Sequence, residues 1–239
     1  MPEIVKESYI GSGIVYVAGR DVGNASAVEL SIEQDTVTLP NYRGGGGNYD
    51  SVTRITAVNL SMTLNAFSND NMALALRGKV DVLTATAVEA ESIIAVLDGL
   101  ADTVNMIDAA QAVTVTNDAG DVEYDVDTDY VVSAAGIRCL SDGAIANGAA
   151  LKVSYTSLAG SALEALVESG KTVPVVVDGL NDANGKATVL KFYLWKPSPT
   201  SSLGIITEEF GSFDIEGEVL ANDAIVAAGK SKFFTRKAA

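Results

Sequence analysis

The chain has no histidine among its 239 residues. That removes the commonest general base, the usual activator of a serine or cysteine nucleophile, and the commonest zinc ligand. Paired carboxylates can still hydrolyse glycosides, but among 31 acidic residues no pair stands out, so no acid–base constellation points to an enzyme. Cysteine occurs once, as Cys139, so an intramolecular disulfide is impossible and folding does not need an oxidising compartment. In its apolar run IRCL, Cys139 reads as a small core residue rather than a reactive thiol. No run of about 18 apolar residues exists to span a bilayer, and MPEIVKESYIGSG lacks both parts of a secretory signal. The expectation is a soluble protein that folds in a cytoplasm and is not exported by the usual route.

Positive charge is scarce as well. Sixteen basic against 31 acidic residues leave −15 at pH 7, the opposite of a surface built to grip phosphate. A surface past which a polyanion must slide, however, would also be acidic. Aromatics are 6% of the chain against 48% hydrophobic residues overall, and the abundance of valine, threonine, alanine and glycine favours strands and turns over a helical bundle.

The pattern of what is present agrees. GIVYVA at 13–18 reads as a short strand. In 26–35, Val28, Leu30 and Ile32 alternate with Glu29, Ser31 and Glu33, predicting a strand with one core face and one acidic face. Residues 52–64 repeat the period, with Val58, Leu60, Met62 and Leu64 on one side. FSNDNMALALRG predicts a helix near 69–77, capped by Ser68 or Asn69, with Met72, Ala73 and Leu76 on a shared face and Gly78 ending it. Residues 80–108 read equally well as helix or extended chain. Short strand-like runs at 111–156, separated by DAG, AAG, DGA and NGA, predict a hairpin-rich insertion into a core made of 1–108 and 157–239. Long strands resume at LEALVES (163–169), TVPVVVDGL (172–180), ATVLKFYLW (187–195) and FDIEGEVL (213–220), with Asn184-Gly185 suited to a hairpin turn. In the last of these, Asp214, Glu216 and Glu218 form a second acidic face.

Three segments invite a chemical reading. The tetraglycine Gly44, Gly45, Gly46, Gly47 sits between two strands, but no Lys-Ser/Thr and no helix follow, so it is not a phosphate cradle. DVDTDYVVSAAG spaces Asp125, Asp127 and Asp129 like the start of a calcium loop, yet Tyr130 and Gly136 stand where that loop needs glycine and a bidentate glutamate; it reads as a solvated acidic turn. Tyr193 and Trp195 read as packing or subunit-contact residues rather than a base-stacking platform. No cofactor and no metal are expected.

GNASAVELSIEQDTVTLPNYRGGGGNYDSVTRITAVNLSMTL, followed by FSNDNMALALRG, resembles the major tail proteins, or tail tube proteins, of long-tailed, non-contractile bacteriophages. VESGKTVPVVVDGLNDANGKATVLKFYLWKPSPTSSLGIITEEFGSFDIEGEVLAND resembles the C-terminal half of that family. The resemblance implies a mainly β protomer, a sandwich or barrel with a flanking helix, assembled as hexameric rings stacked into a tube. Strands of adjacent protomers would close an inner barrel and leave no free edges. Its partners would be further copies of itself, other tail proteins at the tube ends, and genomic DNA passing without specific binding. It would reside in the virion tail, and in the host cytoplasm during assembly. Glu29, Glu33, Asp214, Glu216 and Glu218 would then face the channel and repel phosphates, while Tyr42, Arg43, the four glycines and Tyr49 would form an arm reaching a neighbouring subunit or ring. The insertion would lie on the outside of the tube. A β-rich adhesion module, or the tube of a contractile injection system, is the competing reading.

Overall fold

The computed structural model describes residues 8–239. The protein is mainly β and divides into two compact units, one formed by residues up to Val80 together with Leu163–Ala239, the other by Asp81–Ala162. The first unit opens with β1 (Gly11–Val17), β2 (Arg20–Asp21), β3 (Ala25–Pro40), β4 (Asn48–Leu64) and helix α1 (Asn69–Leu76). Strand β5 (Lys79–Leu83) leads into β6 (Ala87–Ile94), β7 (Ala101–Asp102), β8 (Thr114–Asn117), β9 (Glu123–Tyr124), β10 (Tyr130–Ser133), β11 (Gly136–Cys139) and β12 (Ala150–Thr156). The chain returns through β13 (Gly160–Glu164), which pairs with β5, and continues as β14 (Val173–Asn181), β15 (Lys186–Pro197), β16 (Phe213–Val219) and β17 (Phe234–Ala238).

One eight-stranded sheet organises the first unit, in the order β2-β1-β14-β15-β16-β4-β3, with β17 also on β15. Strand β15 serves two neighbours in succession: Thr188–Phe192 pair with β17 and Trp195–Pro197 with β16, so the sheet splits there. Its inner face collects Val15, Leu60, Met62, Val175, Phe192, Trp195 and Ile215 into one core. Burying such side chains contributes roughly 1.5–3 kcal/mol each. The largest of them, Trp195, keeps its indole satisfied by donating from Nε1 to the Leu60 carbonyl at 3.2 Å. Four residues, 182–185, turn β14 into β15, with Gly185 in the left-handed region at φ 71°.

Helix α1 begins at Ser68, whose side chain accepts from the Asn71 amide. Its end differs from expectation. Arg77, not Gly78, takes the left-handed cap at φ 48°, and the Gly78 amide returns to the Ala73 carbonyl. The buried positions are Asn71 and Ala75 rather than the Met72–Ala73–Leu76 face, because Asn71 Nδ2 is held by the carbonyls of Val22 and Ala66. LEALVES is extended only to Glu164; Leu166 adopts φ 62°, which ends the strand.

In the second unit, β10-β11-β7 and β6-β12-β8-β9 form two antiparallel sheets around a separate core of Ile107, Val115, Tyr130, Ile137, Cys139, Leu151 and Val153. Residues 80–108, open to two readings in the sequence, supply strands β5, β6 and β7 and no helix. Because β6 pairs with β12, the excursion begins at Asp81 and reaches Ala162, further on both sides than 111–156.

Candidate functional site

Two predicted acidic strand faces turn out to be one. Strand β4 lies between β3 and β16, and its registers align Glu29 with Ser61 and Ser61 with Glu216, making one cross-strand row. Ser31, Asn59 and Glu218 form the next row, and Ala27, Thr63 and Asp214 the one on the other side. Glu33 extends the same face opposite Ala57. The pleat sends the intervening residues, Leu30, Leu60 and Ile215 among them, to the core. All five carboxylates are exposed, and none forms an ion pair among the described residues. Polar neighbours orient two of them: Asn59 Nδ2 donates to Glu33 Oε1 at 3.3 Å, and Thr63 Oγ1 to Asp214 Oδ1 at 2.5 Å. Lys196, opposite Glu218 on β15, is the cation that borders the face.

Strand β3 ends the sheet. Among the described residues it pairs with β4 alone, which leaves one side of a 16-residue strand open. The β3–β4 hairpin also outruns its third strand, because β16 pairs with β4 only from Asn59 to Leu64. Beyond that point both strands continue as a two-stranded arm, longer than the predicted 26–35 and 52–64.

The arm carries an unexpected exchange of faces. The register passes from Glu33↔Ala57 to Gln34↔Ile55, leaving Thr56 without a partner as a β-bulge. On β3 the apolar residues move from even positions, Val28, Leu30 and Ile32, to the odd positions Val37 and Leu39. On β4 Val58 and Val52 are both at even positions, with Ile55 at an odd one between them. The bulge shifts β4 by one residue, so Val52 comes opposite Val37 on the side that carries the acids nearer the base. Val37, Val52 and the neighbouring Ile55 are 67%, 51% and 59% exposed. The expectation that one face of 26–35 is core therefore fails at Ile32, which is 53% exposed for want of a covering element.

The glycines close the arm tip. Gly44 to Gly47 all have positive φ, from 72° to 95°, and a Cβ on any of them would meet nothing within 4 Å. Backbone conformation, not space, calls for glycine here. The Asn41 amide donates to the Gly47 carbonyl at 3.0 Å, and Asn41 Oδ1 accepts from the Arg43 amide. Tyr42 and Tyr49 project into solvent at 83% and 61% exposure, and Arg43 is in no ion pair among the described residues.

Two further features come from the structure. The loop between β15 and β16 exposes Ile205, Ile206 and Phe210; the pair of isoleucines inside a Ser/Gly/Thr-rich connection was the available sequence signal. In the second unit the calcium-like spacing serves a turn: the Asp129 carboxylate accepts the amides of Ala144 at 2.7 Å and Asp125 at 2.9 Å. Those bonds, the one from Ala144 foremost, hold its pKa below the usual aspartate range. Among the described residues no cluster of three acidic or thiol groups is arranged to hold a metal ion. Burial raises the Cys139 thiol, as befits a core residue. No helix among the described residues is long and apolar enough to cross a membrane.

No curated protein matches the chain. The profile of the family described as "Protein of unknown function UCP028589" matches residues 8–237, and the chain belongs to that family.

Proposed function

We propose that the protein is the structural subunit of a phage tail tube, polymerising as stacked hexameric rings around an acidic channel that DNA crosses on ejection. The observation that carries this reading is β3: one strand with an open edge, five carboxylates on the sheet face it terminates, and exposed apolar side chains on its distal half. An open edge of this length invites pairing, and pairing with a second copy would remove it. A sheet continued from copy to copy would repeat the acidic face around a closed ring, so that Glu29, Glu33, Asp214, Glu216 and Glu218 line a lumen. Phosphates passing along it would meet repulsion and no lysine-rich surface to displace their counterions. The arm, with Tyr42 and Tyr49 at its tip and Val37 and Val52 on its flank, would bury its apolar side chains against the next subunit or ring.

Sedimentation and electron microscopy of the purified chain across a concentration series test the reading. Rings or tubes with a central channel are the expected result. A protein that remains monomeric at the highest concentrations overturns it and favours the adhesion reading.

A further inference from the structure

Phe210 is fully exposed, at 102% of its reference area, with Ile205 and Ile206 at 87% and 95%. The loop that carries them is fastened at its two ends. The Thr200 amide donates to the Ala75 carbonyl at 2.8 Å, Leu203 packs against the core, and Gly211 lies against the Phe67 ring where the loop ends. Thr207 Oγ1 bonds the Glu209 carbonyl at 2.7 Å within it. The loop is thus a knob held at its ends, apolar at Phe210 and acidic just before it at Glu208 and Glu209.

Elsewhere on the same unit is a cavity of about 210 Å³ beside α1, with Val17, Leu74, Val173 and Pro197 in its wall. Arg20, Arg77 and Lys171 line it as well, three of the chain's 16 cations, against the carboxylates Asp70 and Glu168. Lys171 pairs with Glu168 at 2.6 Å and Arg20 donates to the Asp21 carbonyl. Arg77 donates from one terminal nitrogen to the Pro197 carbonyl at 3.2 Å, while its Nε is buried without a hydrogen-bond partner. The pocket therefore combines an apolar wall, a cationic majority and an unsatisfied donor.

We infer that the loop bearing Glu208, Glu209 and Phe210 docks into the Arg20–Arg77–Lys171 pocket of a second copy of this chain. Phe210 meets the apolar wall and the two glutamates meet the cations. On a protein of net charge −15 most surfaces repel a Glu-Glu pair, whereas this pocket attracts one. Knob and pocket are different patches, so the contact is head-to-tail; each added copy carries a free knob and a free pocket onward until a ring closes on itself or a filament grows. This inference rests on the tube reading and names the contact between subunits.

The test is a charge exchange in the full chain, with fold checked by circular dichroism and self-association by sedimentation. Glu208→Lys with Glu209→Lys makes the knob cationic; Arg20→Glu with Lys171→Glu makes the pocket acidic. Each variant alone should associate roughly tenfold more weakly than the natural chain, as loss of a central contact does. Their mixture should recover, because each offers the knob the other's pocket now fits. Phe210→Ala should weaken association at least as much without rescue. Natural assembly by either charge variant alone, or failure of the mixture to recover, overturns the docking contact while the tube reading stands. A natural chain that never self-associates overturns both.

Discussion

The two halves of the β3–β4 hairpin are made of the same kinds of residue and meet opposite fates. Near its base Leu60, Met62 and Leu64 are almost wholly buried, while in the arm Val37, Val52 and Ile55 lie more than half exposed. The difference does not come from apolar content alone, since both strands carry apolar residues in both halves. It comes from company: β16 pairs with β4 up to Asn59, and beyond it, among the described residues, β4 pairs with β3 alone. Periodicity tells which side chains share a face. Whether that face becomes core depends on a third element.

The sharpest way to break the comparison is to truncate one residue in each half. Leu60→Ala leaves a cavity in the core that Leu60 shares with Trp195 and should cost about 2–5 kcal/mol of protomer stability. Val52→Ala should stay within about 0.5 kcal/mol, because the isolated protomer already leaves that side chain in water. Urea denaturation at a concentration where the chain is monomeric distinguishes the halves; equal losses at the two positions would mean that the arm is packed after all.

The reverse experiment moves the effect to assembly. Replacing Val37 and Val52 together by lysine puts two charges on the flank that the bulge at Thr56 turns outward. Protomer melting should hardly change, while self-association should weaken by a factor of roughly ten or more if that flank is a contact. Sedimentation reads the association and circular dichroism the fold. Undiminished assembly would leave the arm as an exposed hairpin with no interface role.

A smaller effect belongs to the second unit, whose core is separate from the hairpin's. Asp129 has its pKa lowered in the folded protein by the Ala144 and Asp125 amides. A depressed carboxylate stabilises fully above its unfolded value, near 3.8, and the contribution disappears as pH falls through the lower native value. Asp129→Asn should therefore destabilise the second unit at neutral pH, and the gap from the natural chain should close below about pH 3.8. Melting both proteins from pH 7 to pH 2.5 gives the answer; a gap independent of pH would place the role of Asp129 in packing rather than charge.

The hairpin also marks where the sequence was readable. Its two strands, the β14–β15 pair and the helix with a cap at Ser68 or Asn69 followed from alternation and capping chemistry; the structure settles the cap on Ser68. The acidic residues followed too, but as two faces; only the registers through Ser61 and Asn59 merge them. The glycine arm was read at 42–49, but the continuation of the strands into it, beyond Asp35 on β3, was not, because the apolar positions on β3 change parity there and Thr56 gives no local sign of being a bulge. AVEAESII is rich in good helix formers and is a strand all the same, since β12 supplies its partner from more than 50 residues away. The pocket beside α1 gathers Arg20, Arg77 and Lys171 from three distant segments, and no spacing rule joins them.

The smallest expected effect on folding is the most informative about the channel. Glu29 and Glu33 lie on the exposed face of β3, just before the bulge, with only Asn59 bonded to Glu33. Replacing both by lysine removes no buried contact, so the protomer should melt within about 0.5 kcal/mol of the natural chain. The change in surface chemistry is larger. Two carboxylates repel phosphate, whereas two lysines bind it by releasing counterions, and if the face lines a ring the substitution repeats in every subunit. Assembled tubes of the variant should retain DNA at low salt and release it as salt rises, while natural tubes retain none at any salt. In phage carrying the variant, ejection should be slowed in the same salt-dependent way with tails of normal shape. Normal ejection at low salt through such tails would mean that the acidic face does not look into the channel, and that β3 turns it to the outside instead.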